Sequence, residues 1–360
     1  MTEWLSILLL AAFCGTGVPG YSGAEQHVEP LISQEPKHED WRDLFALGSP
    51  SAFGVEGPLE HPHAWITPVV VVPGPEHGVI VLEDNTADIK LVLPDGEVRA
   101  FGHGKGSGPG EFRDLFGAAW SRELGILIAD GPNRRITQFQ EDGSYVGDIH
   151  PNVSYYRIAV SGRHLWMSTF GPTPDRAYLL DASSGEVLTE VGGRYESEPW
   201  AGRLGILGWI VADGDHVLIS VSYPYEVQRY DTEGRLRGVF GRVVNWLGPP
   251  EELDLGAYGK SVTPEGGMIG DIAVLPEVGY MVRIARREWV GTYSNGLPRS
   301  ESTPYFDVFS REGVWLTTIP GQDLLPRERI GPWTIASDRA FWCIVFGDYY
   351  RLIRLPIYLK

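Results

Sequence analysis

The chain has 360 residues, too many for one ordinary compact core and too few for three, a length that suits a closed array built by repeating one unit. Its 45 Gly and 27 Pro would break long helices but suit short strands joined by tight turns. A formal net charge of -17 repels phosphate backbones and sets the chain against nucleic-acid binding.

Met1 to Phe13 is an apolar run, followed by Gly, Pro and Ser and then by Ser22, Gly23 and Ala24 ahead of polar Glu25. This layout predicts a signal peptide over residues 1–24, although Glu3 stands where a Lys or Arg is usual. A lipid anchor on Cys14 is the alternative, with Phe13 departing from the small residue that usually precedes a lipidated cysteine. Either way the protein is expected outside the cytoplasm, without a membrane span and as a monomer. After cleavage at Ala24, Cys343 is the only cysteine, which excludes an intramolecular disulfide. Its neighbours Phe341, Trp342, Ile344 and Val345 predict a buried, inert thiol. Residues 25–40 are polar and read as a flexible leader, and the folded domain is expected over 41–360.

From Trp41 onward one pattern recurs: four apolar runs, with an acidic-Gly turn between the third and fourth. The clearest copy has strands at Gly117 to Trp120, Gly125 to Ala129, Arg135 to Phe139 and Tyr145 to Ile149. The turn glycine recurs at Gly96, Gly143, Gly185, Gly234 and Gly313, at intervals of 47, 42, 49 and 79 residues. Four-stranded propeller blades need about 40 to 50 residues each, so the last interval holds a blade with insertions. A sixth unit from Trp333 has three strands and lacks an outer one. The predicted fold is an all-β six-bladed propeller of four-stranded antiparallel blades. The sixth blade is closed by a strand from the N-terminal side, at Asp43 to Leu47 or the stretch up to Phe53.

The segment Phe101 to Phe112, FGHGKGSGPGEF, and the ADGPNRRI run with Asp130, Asn133 and Arg135 resemble NHL repeats. More closely, the order over residues 41 to 356 resembles exported bacterial six-bladed propellers that carry a GPGEF linker after the first blade. The resemblance implies a fold and a location, not a chemistry. It also implies that Asp130, Asn133 and Arg135 brace the turn between second and third strands. The glycines of the linker read as a crossover between blades, since no Lys-Ser pair or helix follows them as in a phosphate loop.

Function in a propeller tends to sit at the channel mouth, where the inner strands begin, or in long loops. Aligning the inner strands places Val69, Gly117, Arg157, Gly208, Asp271 and Trp333 at the mouth. Arg157, Asp271 and Trp333 could hold a small polar ligand, Arg157 meeting an anion, Asp271 a cation or hydroxyl, and Trp333 offering a flat face. The competing reading is an internal ion pair in a wet pore. His61 and His63 alternate about Pro62 without a third ligand fixed by spacing, so no metal or other cofactor is expected. Two insertions break the repeat, Arg242 to Met268 and Arg286 to Pro304, and bring Trp246, Tyr258, Trp289 and Tyr293. The expected function is a binding or scaffold module for a protein, peptide or glycan on one face. The alternative is a metal-dependent hydrolase or lyase acting at the mouth.

Overall fold

A computed structural model describes residues 28–54, 68–153, 157–168, 176–192, 207–221, 223–254, 260–292, 298–326 and 328–360. Small antiparallel sheets follow one another along the chain and form a six-bladed propeller. Blade one comprises Pro68–Pro73, Val79–Glu83, Asp88–Val92 and Val98–Phe101. Blade two comprises Leu115–Ser121, Gly125–Asp130, Arg135–Phe139 and Tyr145–Ile149, within two residues of the boundaries expected from sequence. Blade three runs from Arg157–Ser161 through His164–Ser168 and Arg176–Asp181 to Val187–Gly192. Blade four runs from Leu207–Asp213 through His216–Val221 and Glu226–Asp231 to Leu236–Arg242. Blade five, Gly267–Leu275, Gly279–Thr292, Pro298–Ser310 and Trp315–Pro320, has the two longest strands among the described residues.

Each strand alternates its side chains between the two neighbouring blades. In the second strand of blade one, Val79 and Val81 face blade six while Ile80 and Leu82 face blade two. The same division repeats around the ring, so the core is a set of wedges, one between each pair of adjacent blades. These side chains are fully enclosed, and burying each contributes about 1.5 to 3 kcal/mol.

Blade six has Arg329–Ile335, Ala340–Phe346 and Arg351–Leu359, and the chain then ends. Its outer edge is filled from the N-terminal side, as the three-stranded pattern requires. Phe45–Leu47 pairs antiparallel with Ile357 to Leu359, and Ser51–Phe53 pairs with Leu352 to Arg354. Phe45 is 1% exposed in the wedge between blades five and six, and Phe53 stacks on Trp342 with ring centroids 5.6 Å apart.

The recurring turn glycines all take positive φ, from 72° at Gly185 to 94° at Gly96, a region open to Gly without strain. Each also abuts the outer strand of the preceding blade. A Cβ on Gly143 would lie 2.8 Å from that of Phe101, and one on Gly313 would lie 2.6 Å from that of Phe240. For Gly96 of blade one the corresponding neighbour is Phe53, so the borrowed strand completes this series as well.

The stretch expected to be a flexible leader behaves differently within its described part. Leu31–Ser33 adds a parallel strand to the outer edge of blade four, beside Phe240 to Arg242. The Lys37 and His38 amides then donate to the Trp315 and Leu316 carbonyls of blade five, at 3.1 and 2.8 Å. Trp41 Nε1 donates to Asp323 Oδ2 at 3.0 Å. The cause is the free backbone at each outer edge, which any extended segment can satisfy whatever its side chains. The expected signal over residues 1–24, with Cys14, lies outside the described residues.

Candidate functional site at the channel mouth

The inner strands of blades one, two, four, five and six break register near the mouth. The shifts fall between Pro68 and Val70, Leu115 and Gly117, Leu207 and Ile210, Ile269 and Ile272, and Ile330 and Trp333. Such bulges re-aim side chains and take residues out of the ladder. Carbonyls inside them are bonded by the next blade over. Arg157 Nη1 donates to the Phe116 carbonyl, Arg283 Nη1 to that of Gly331 at 2.7 Å, and Ser220 Oγ to that of Gly270 at 3.2 Å.

Two of the three residues expected to hold a ligand sit among these contacts. Arg157, at the start of blade three, is buried and lies with its guanidinium 3.9 Å from the Trp209 ring centre of blade four. Asp271 sits in the blade-five bulge, 4% exposed, with Arg283 Nη2 2.7 Å from Oδ2. That contact is an ion pair without hydrogen-bond alignment, and neither carboxylate oxygen accepts an aligned hydrogen bond. Burial pushes the Asp271 carboxyl above its usual range, opposed by the charges of Arg283 and Arg157 and by the Trp333 indole N–H.

Trp333 is the third residue, and the structure corrects its expected role. It lies just past the bulge, so its ring stacks on Phe341 and meets Phe306 edge-on instead of presenting a flat face at the mouth. Its Nε1 is turned toward Asp271 yet makes no aligned bond. Gly117 is likewise the first residue past its bulge, while Val69 and Gly208 lie within theirs. Ser168, the cross-strand partner of Arg157, is 1% exposed and its Oγ has no hydrogen bond. Sequence reasoning missed Trp209, Arg283 and Ser168. The first was hidden by the bulge, and the other two stand on second strands that carry no mouth signal of their own.

On the same face the Gly-rich crossover is clamped by the motif residues of blade two. Asn133 Nδ2 donates to Asp130 Oδ2 at 2.7 Å and to the Gly106 carbonyl at 2.9 Å. Arg135 donates to the carbonyls of Ser107 at 3.2 Å, Gly108 at 2.7 Å and Glu111. These contacts brace the turn and hold the linker down. Beside them Asp114 faces Asp84. Burial, then the Asp84 carboxyl, raises the Asp114 pKa to about 7, with Lys105 opposing.

The insertion Arg286 to Pro304 is a hairpin in which Arg286 to Thr292 pair with Pro298 to Thr303. The inner strand ends its pairing at Arg286, so the hairpin projects past the mouth face. Trp289, Val290 and Met268 are 45 to 47% exposed there. The other insertion forms a hairpin of Pro250–Asp254 with Lys260–Pro264. Trp246 packs on the wedge between blades four and five, the rim use of an aromatic. Tyr258, Tyr293, His61 and His63 lie outside the described residues. Among the described residues no three His, Cys, Asp or Glu side chains gather as a metal site.

No family model matches the chain, and no curated protein matches it. Solved structures do. A member of the DUF4221 family from Bacteroides vulgatus superposes with a TM-score of 0.60 at 11% identity, covering 88% of this chain and 98% of the other. A Bacteroides fragilis protein with an exported-protein assignment superposes at 0.61 and 12% identity, covering 92% and 100%. At such identities the likeness is one of fold.

Proposed function

We propose that the chain is an extracytoplasmic binding or scaffold module that engages a protein, peptide or glycan on its mouth face. The observation that carries this reading is the blade-five hairpin. A two-stranded hairpin standing clear of its sheet is marginal alone, and exposed Trp289 and Val290 on it, with exposed Met268 on the inner strand at its base, offer apolar surface to bury. Its position beside the mouth puts that apolar surface on the face where the inner strands begin. Trp246 packs beside the hairpin's base from the neighbouring linker. Export through the Met1 to Ala24 segment fits a module working outside the cytoplasm, and no helix among the described residues is long and apolar enough to cross a membrane. The test replaces Arg287 to Thr303 by an Asn-Gly turn and compares both proteins on glycan and peptide arrays. The reading expects array binding by the parent that the shortened protein loses at an unchanged melting temperature. Equal binding by the two proteins would refute it.

A further inference from the structure

Residues two apart on a strand, and residues opposite one another on neighbouring strands, share one face of a sheet. In blade five this gives the projecting hairpin two unlike faces. One carries Arg286, Glu288, Arg299 and Glu301, with Arg286 3.5 Å from Glu288 and Arg299 3.3 Å from Glu301, so its charges close on one another. The other is built in three rows. Met268, Ala285 and Pro304 stand side by side in the first. Arg287 and Ser302 form the second, and Trp289 and Ser300 the third. Deeper in the sheet this same face packs on blade six through Arg283 and Phe306. At the surface Met268 and Trp289 are exposed, and the Arg287 guanidinium lies 5.5 Å from the Trp289 ring centre.

Trp, Met and Arg concentrate at protein interfaces while Lys, Glu and Asp are depleted there, and the three rows hold each of the former and none of the latter. Charge narrows the partner further. Arg287 is the one charged side chain in the rows, and at physiological salt charges beyond about 8 Å are screened. Arg287, not the net charge of -17, therefore sets the sign that this face presents, and a basic segment is opposed. The first row has no side-chain hydrogen-bond donor, a poor seat for a hydroxyl-covered sugar and a good one for an apolar side chain. Successive rows are about 7 Å apart, which is also the distance between alternate residues of an extended chain. We propose that this face docks an extended peptide segment of a partner protein, with a carboxylate side chain over Arg287 and an apolar side chain two residues to either side of it, over Met268 and over Trp289. This deepens the binding reading above, on which it rests, by choosing peptide over glycan.

The test titrates the protein by calorimetry with the capped peptide Thr-Leu-Thr-Glu-Thr-Leu-Thr, with the same peptide carrying Lys in place of Glu, and with chitotetraose as a glycan probe. The Glu peptide is expected to saturate below about 1 mM, and the Lys peptide to bind about 10-fold more weakly or worse. Arg287→Glu should reverse that preference, and Trp289→Ala should weaken the Glu peptide by about 10-fold. Glu301→Gln, on the other face, should change neither. None of the three side chains is buried, so the melts should stay with the parent's. A Glu peptide that fails to saturate, equal binding of the two peptides, or tighter binding of chitotetraose would overturn the proposal. So would a folded Arg287→Glu protein that keeps the parent's preference. The two readings fail separately: array binding that is lost with the hairpin yet kept in Arg287→Glu and Trp289→Ala removes this inference alone.

Discussion

Removing the closing strands should cost the ring most of its stability, and the structure indicates how much. Phe45 is 1% exposed and Trp41 7%, both in the wedge between blades five and six. Truncating a buried Phe or Trp to Ala costs about 3 to 5 kcal/mol, so losing both approaches the whole margin of about 5 to 15 kcal/mol that domains possess. A chain beginning at Gly57 loses these two rings, the pairings of Phe45–Leu47 and Ser51–Phe53, and the Phe53 stack on Trp342. It should have no cooperative melt and should aggregate through the bared edge of Arg351–Leu359. A chain beginning at Trp41 loses the Leu31–Ser33 strand, the Lys37 and His38 amide bonds and the contacts of Ser33 and Asp40 with Trp315, Val243 and Arg42, and should melt within a few degrees of one beginning at Glu25. Phe45→Ala in the longer chain gives the graded version. With about 2.1 cal/mol/K per residue of unfolding entropy over a chain of this length, its melt should fall by about 4 to 7 °C. Circular dichroism melts of the four proteins decide the matter. Equal midpoints for the chains starting at Glu25 and Gly57 would refute the closure argument.

Three further outcomes are expected. The folded state holds the Asp114 proton more tightly than the unfolded chain, so that contribution is complete below about pH 4 and is lost as pH rises through about 7. Asp114→Asn should therefore match the parent at pH 4 and exceed it at pH 8, by about 1 to 2 kcal/mol once solvent screening of the half-buried pair is allowed for; melts across that range with a constant gap would contradict this. Cys343 is fully buried and its thiol is pushed far above the usual range by burial, so iodoacetamide should label it only in denaturant, as peptide mass spectrometry would reveal. Expressed in a bacterium, the protein should appear in the periplasm with a mass lacking about 24 residues, and an intact Met1 in the cytoplasm would count against export.

Much of the fold was legible because a propeller repeats its punctuation. The acidic-Gly turns at Gly96, Gly143, Gly185, Gly234 and Gly313 mark hairpins whatever fills the strands, and the missing outer strand after Leu355 announces the closure. The Leu31–Ser33 strand was not legible, since parallel addition to an edge uses backbone alone and leaves no alternation in a polar stretch. At the site, Arg157 and Asp271 could be read because a charge inside an apolar run stands out. Trp209 and Trp333 were misplaced by bulges that add residues to one strand only and have no consistent sequence mark. Arg283 looked like an ordinary strand residue until the fold set it 2.7 Å from Asp271.

The seat that Phe53 provides for Gly96 has a consequence for when the molecule can be finished. Every other turn glycine meets a strand made shortly before it, so successive blades can dock as the chain is synthesised. Phe53 and Phe45 must instead wait for Ala340–Phe346 and Arg351–Leu359, which come last, and the contact they then make spans nearly the whole chain. Until that moment blade one has a bare flank, formed by Val71, Val79, Val81 and Val92, and nothing to lay against it. Maturation of this ring is thus governed by a single late, long-range event with a large loop-closure entropy, and a chain cut before Arg351 forfeits both ends of the fold at once.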